Sequence, residues 1–115
     1  MAIQDAQITI MVREMDRSIL FYQFISFTLQ NRWADHYAQL TAPGIVIGLH
    51  PTGNNSHSAG SGNMSIGFTT DNFKKAANLL ISLSVPAISR DEEGGKFLHF
   101  NDPDETALYF IKPKW

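Results

Sequence analysis

The side chains in this chain best suited to moving a proton are His50 and His99, and each ends or interrupts a short run of alternating apolar residues. Read as a strand, Ile45–His50 puts Ile45, Ile47 and Leu49 on one face and Val46, Gly48 and His50 on the other, because successive strand side chains point to opposite sides. Leu98 and Phe100 oppose Phe97 and His99 in the same way. Imidazole titrates near neutrality and ligates transition cations, so the two histidines could act as acid and base or hold a metal. The plainer reading, and the favoured one, has them hydrogen-bond solvent or line a binding cleft. His36 falls at a turn or strand start and His57 in a polar stretch, so both read as solvated. With no cysteine in the sequence, disulfides and thiolate chemistry are excluded.

Four aromatic residues, Trp33, Tyr37, Phe97 and Tyr109, offer a different chemistry. They are able to stack on a planar ligand in an apolar cleft, or equally to serve as ordinary core or subunit packing. The run Asp91-Glu92-Glu93 reads as a solvated hairpin tip. Asp102-Pro103-Asp104 reads as turn chemistry, Pro fixing the backbone and Asp accepting local hydrogen bonds. Neither is taken as a catalytic carboxylate pair. Gly60-Ser61-Gly62 lacks the lysine and following helix of a phosphate loop.

The elements that must position these groups come as a repeat. Residues 7–22 (QITIMVREMDRSILFY) and 65–80 (SIGFTTDNFKKAANLL) both pass from alternating apolar residues through a polar corner into helical period. Superposed, Ile8 meets Ile66, Ile10 meets Phe68, Met15 meets Phe73 and Ile19 meets Ala77. The first strand is expected over Ala6–Val12, with a helix capped by Asp16 and running to about Ile25. Strands follow at Thr28–Arg32, His36–Leu40 and Ile45–His50, separated by turns at Trp33-Ala34-Asp35 and Ala42-Pro43-Gly44. The second half repeats the order with a strand at Met64–Thr70, a helix over Asn72–Leu83 stopped by Val85-Pro86, and strands at Ala87–Arg90, Lys96–Phe100 and Thr106–Ile111. The sequence therefore reads as one α+β domain over 1–115, with a βαβββ module at 5–51, a polar linker at 52–63 and a second βαβββ module at 64–113.

Bulk properties narrow the partners. At 115 residues the chain suits one domain, and 43% hydrophobic with 17% charged residues suits a globular rather than a disordered one. A net charge of −2 supplies no field to attract nucleic acid or an anionic membrane. No apolar run reaches membrane-spanning length, and MAIQDAQ has neither the basic start nor the apolar core of a secretory signal, so a cytoplasmic protein is expected.

The segments VREMDRSILFY at 12–22, IGFTTDNF at 66–73 and FNDPDETALYFIKP at 100–113 together resemble the vicinal oxygen chelate superfamily of glyoxalases, extradiol dioxygenases and bleomycin and fosfomycin resistance proteins. The last segment is similar to that family's Phe-x-Asp-Pro-Asp-Gly-Asn ending, with Glu105-Thr106 in place of Gly-Asn. The resemblance implies two βαβββ modules whose curved mixed sheet forms an open cup with helices on the outer face, usually within a dimer. Metal-binding members place His or Glu at four cup positions, which by motif correspond here to Gln7, Gly48, Ser65 and Tyr109. None of these is a carboxylate or imidazole, and stable divalent-metal sites need several such ligands. The implied expectation is a cup without a metal cofactor, in which Tyr109 fills the vacated volume and offers its hydroxyl to a ligand.

The expected ligand-binding set is then Gln7, Trp33, Tyr37, Gly48, His50, Ser65, Phe97, His99 and Tyr109. The function expected is metal-independent binding of a small organic molecule by a homodimer, as in bleomycin resistance proteins. An alternative is a glyoxalase- or dioxygenase-like lyase or isomerase using His50 and His99, with or without a displaced divalent metal. A third is an interaction module with a filled cup. Trp115 would cover a partner subunit or fray.

Overall fold

In the computed structural model, which describes residues 2–52 and 62–114, the apolar alternation becomes two open four-stranded sheets, each carrying one helix. The chain divides into two compact units, Met1–Gly60 and Ser61–Trp115. The first contains β1 (Ile8–Val12), α1 (Met15–Phe24), β2 (Thr28–Trp33), β3 (Tyr37–Ala42) and β4 (Ile45–Pro51). The second contains β5 (Ser65–Thr69), α2 (Phe73–Ser82), β6 (Ala87–Glu92), β7 (Gly95–Asn101) and β8 (Ala107–Pro113). Strand order is β1-β4-β3-β2 in one sheet and β5-β8-β7-β6 in the other. In each, the opening strand pairs in parallel with the closing strand and the remaining pairs are antiparallel. This is βαβββ twice, the α+β architecture read from the sequence. Most of the linker expected at 52–63, together with His57 and Trp115, lies outside the described residues.

Each sheet buries the row that alternation assigned to the core. In the first unit Ile10, Val12, Ala38, Leu40, Ile47 and Leu49 are at most 1% exposed, and α1 brings Met15, Ile19 and Tyr22 onto β2, β3 and β4. In the second, Ile66, Leu98, Phe100, Leu108 and Phe110 are buried, with Ala76 and Leu80 on α2. Each large aliphatic side chain so removed from water contributes about 1.5–3 kcal/mol. A one-residue slip of any strand would carry its whole row into solvent, which fixes the register.

The helix ends show the repeat in their stereochemistry. Asn72 caps α2 by accepting the Lys75 N–H at 3.0 Å. The N-cap of α1 is Glu14, whose side chain makes no capping bond; Asp16, expected as the cap, sits instead in the first turn and pairs with Arg32 on β2 at 2.8 Å. There its carboxylate still faces the positive end of the helix dipole. At the other end both helices close alike. Ser26 (φ +95°) donates to Gln23 O while Phe27 N donates to Tyr22 O; Ser84 (φ +57°) donates to Ile81 O while Val85 N donates to Leu80 O. These are Schellman closures with serine at the left-handed position that glycine favours.

Asp102 anchors the approach to β8. Its carboxylate is 4% exposed, and Oδ1 accepts the N–H groups of Asp104 and Thr106, each at 2.8 Å. Glu105 completes the turn by donating to Asp102 O, at φ +68°. Position 105 is where the family ending carries glycine, so the departure noted in the sequence places a side chain in left-handed backbone. Such a conformation costs an L-residue roughly 1–2 kcal/mol. Glu105→Gly and Ser84→Gly should therefore each raise unfolding free energy by about 1 kcal/mol, read from urea denaturation with unchanged slope. A loss of stability in both would show that the left-handed backbone is not strained.

Candidate functional site

Register places the polar side chains in rows across each sheet, on the face away from the helix. In the first unit Thr9 pairs with Gly48, Gly48 with Gln39 and Gln39 with Asn31. One row along lie Met11 and His50, a cross-strand pair, and Tyr37 and Trp33, another. In the second unit one row joins Gly67, Tyr109, His99 and Ile88, and the next joins Thr69, Ile111, Phe97 and Arg90. Ser65 lies opposite Ala107, which in turn pairs with Asn101.

Simple alternation along β2 would set Leu29, Asn31 and Trp33 on one face. A bulge between Leu29 and Asn31 adds one residue, so Leu29 stays opposite buried Leu40 while Asn31 and Trp33 turn to the polar face. Arg32 consequently points to the helix side, where it meets Asp16 at 2.8 Å and Asp35 at 2.7 Å. Hydrogen bonds to Asp16 and Asp35, reinforced by their charges, raise the Arg32 pKa above its ordinary value.

Two tyrosines shape these faces through glycine. A Cβ added at Gly48 would lie 2.7 Å from Tyr37 Cε1 and 2.8 Å from Cζ, and nearer still to the hydroxyl. The Tyr37 ring thus reaches from β3 over β4 and brings its hydroxyl into the Thr9–Gln39 row. A Cβ at Gly67 would meet the ring carbons and hydroxyl of Tyr109 in the same manner. Because Ile8 and Ile66 are equivalent in the repeat, the pairs Thr9–Gly48 and Gly67–Tyr109 are equivalent too. The counterpart of Gly48 is thus Tyr109 and that of Gly67 is Thr9, so each unit seats its phenol over a glycine from a different strand.

Around Tyr109 the second unit gathers an aromatic panel. Phe97, His99 and Tyr109 have ring centroids 5.8 Å apart in each pairing, with Phe97 and His99 nearly parallel at 6°. In the first unit Trp33 and Tyr37 stand 5.6 Å apart, tilted 31°, with Trp33 51% exposed. His50 is exposed, and its Nδ1 lies 2.7 Å from Pro51 O. A carbonyl only accepts, so Nδ1 carries the hydrogen, and Nε2 of the neutral ring is left as an acceptor.

Among the described residues, two concavities border these rows. One, of about 420 Å³, is lined by Pro86, Ile88, His99, Asn101 and Asp102. The other, of about 400 Å³, lies where Gln7 precedes β1 and is lined also by Asp5, Gly44 and Ile45. Of the residues expected from the sequence, Trp33, Tyr37, Gly48 and His50 share the polar face of the first sheet, which Gln7 borders. Ser65, Phe97, His99 and Tyr109 share that of the second. Thr9 shares the first of these faces as well, and Asn31, Gln39, Ile88 and Arg90 join them without having been read from sequence. Ala38 and Leu40 alternating with Tyr37, Gln39 and Thr41 was the available signal for Gln39. At Gln7, Gly48, Ser65 and Tyr109 the donors are an amide, nothing, a hydroxyl and a phenol, a set that does not fit a divalent transition cation. Among the described residues no three His, Asp or Glu side chains converge as a cation site.

Residues 6–110 match the family model described as the Glyoxalase/Bleomycin resistance protein/Dioxygenase superfamily. Comparison with curated proteins gives no match. Among solved structures, a glyoxylase/bleomycin resistance protein/dioxygenase domain from Frankia sp. EAN1pec superposes with a TM-score of 0.80 at 16% identity, covering 99% of this chain and 100% of that one. A bleomycin-binding protein complexed with bleomycin gives 0.71 at 18%, covering 97% and 100%. The fosfomycin resistance protein FosX from Mesorhizobium loti gives 0.73 at 18%, covering 99% and 95%. At such identities these likenesses establish the fold.

The Tyr37–Gly48 contact makes a sharp prediction. Gly48→Ala should cost about 1–3 kcal/mol by forcing the ring from its seat. In a Tyr37→Ala background the same change should cost almost nothing, a non-additivity measurable as a double-mutant cycle in urea. Equal costs in both backgrounds would show that the ring does not occupy that volume.

Proposed function

Because the chain belongs to the Glyoxalase/Bleomycin resistance protein/Dioxygenase superfamily, we propose that it is a member that works without a metal, binding a small organic molecule on its polar sheet faces. One observation carries this reading. The places where metal-binding members hold carboxylate or imidazole have here no adequate donor, and the volume above Gly48 and Gly67 is taken by phenol rings. What remains is a surface for stacking and neutral hydrogen bonding. Tyr109, beside Phe97 and His99, offers a ring face and a hydroxyl together. The bleomycin-bound relative supports a drug-sized organic ligand as the class to test first.

The protein acts, in this proposal, as a homodimer. Leu20 and Phe24, one turn apart on α1, are 54% and 57% exposed, and Ile81 on α2 is 73% exposed, which gives both units apolar surface for a partner. Among the described residues no helix is long and apolar enough to cross a membrane. Light scattering should return twice the 12.9 kDa chain mass; a monomer at micromolar concentration would remove the dimer from the proposal.

The decisive measurement is metal content. Protein purified without chelator should hold far less than one equivalent of nickel, zinc, manganese or iron, and none should bind stoichiometrically on titration. A tightly held equivalent that His50→Ala or His99→Ala abolishes would overturn the proposal in favour of an enzyme. With metal-free bleomycin as calorimetric probe, Tyr109→Ala should weaken binding at least tenfold, about 1.4 kcal/mol, while circular dichroism stays native. Unchanged affinity would take Tyr109 out of the site.

A further inference from the structure

The first sheet carries a recognition strip of a particular kind. Four polar groups follow one another across it: the Asn31 amide on β2, the Gln39 amide on β3, the Tyr37 hydroxyl above Gly48 on β4, and the Thr9 hydroxyl on β1. None is charged. The one arginine on β2 is turned away by the bulge and held by Asp16 and Asp35. Asn31 Nδ2 donates to Gln39 Oε1 at 3.4 Å. Gln39 Nε2 then remains a donor and Asn31 Oδ1 an acceptor. A donor beside an acceptor is the complement of a cyclic amide, whose ring edge presents C=O beside N–H.

A wall stands next to this strip. Trp33 lies two residues along β2 from Asn31, roughly 7 Å by strand rise, and its half-exposed ring is steadied by Tyr37 at 5.6 Å. Strand side chains stand roughly perpendicular to their sheet. A flat ring resting against Trp33 can therefore reach the amides with its edge. We propose that this strip and its Trp33 wall bind a neutral, planar heteroaromatic ring bearing a cyclic amide edge. The assignment rests on the metal-free binding reading above and names the ligand class of its first-unit face. Charged ligands are disfavoured, because the strip supplies no counter-charge and its amides lose solvent on contact. Gly48 is a positioning residue here, since it alone lets the Tyr37 hydroxyl enter the strip.

Lumichrome, an uncharged tricycle with a cyclic imide edge, is a suitable probe because its own fluorescence reports binding. Titrated with wild-type protein it should saturate at one equivalent per chain. Gln39→Leu and Trp33→Ala should each weaken it at least tenfold with native circular dichroism, and lumichrome methylated at the imide nitrogen should lose a similar factor on wild-type protein. Gln39→Glu, which keeps size and polarity but adds charge, should also lose at least tenfold. No saturable binding by folded protein, equal affinity in the Gln39 and Trp33 variants, or equal affinity for the methylated probe would overturn the assignment. The bleomycin titration and metal analysis of the same preparations separate the two ideas. Bleomycin bound without lumichrome removes only the strip, whereas a stoichiometric cation removes the metal-free reading itself.

Discussion

One-sided burial is the constraint from which the rest of this protein follows. Each four-stranded sheet has a single helix, and a single helix covers a single face. Ile10, Val12, Leu40, Ile47 and Leu49 in one unit, and Ile66, Leu98, Phe100 and Leu108 in the other, are pinned under that helix. Strand geometry then leaves every alternate residue on the uncovered side, whatever its chemistry. The residues there are free to serve recognition because stability is supplied from the opposite face.

That division explains why the fold was legible. Burial leaves a period of two in the strands, and the duplicated strand-helix opening leaves a recurrence that survives divergence of nearly every residue. Both were visible, and each expected strand formed within about two residues of its predicted bounds. The misassigned cap is instructive. Asp16 has the chemistry of an N-cap, but its carboxylate meets Arg32 from β2 at 2.8 Å, and the cap falls two residues earlier, at Glu14. A contact distant in sequence engages the carboxylate that a local reading reserves for the cap.

The candidate faces were only half legible, for a related reason. Strands with a clear apolar row announce their faces by alternation, and so Gly48, His50, Ser65, His99 and Tyr109 could be set on the polar side. The bulge in β2 inserts one residue and inverts every facing beyond it, which no pattern within TLQNRW reveals. The seats of Tyr37 and Tyr109 are equally hidden, because a glycine in a strand reads as weak β-former until the neighbouring strand's ring is seen above it. Pairwise contact across strands carries this information, and linear sequence does not.

The seat of Tyr37 above Gly48 has an evolutionary side. A side chain at position 48 fits only while the space above it is empty. With Tyr37 in that space, any Cβ placed at position 48 meets its ring, so the two positions are coupled. Descendants of this protein that gain a side chain at position 48 must also move or replace the phenol at position 37.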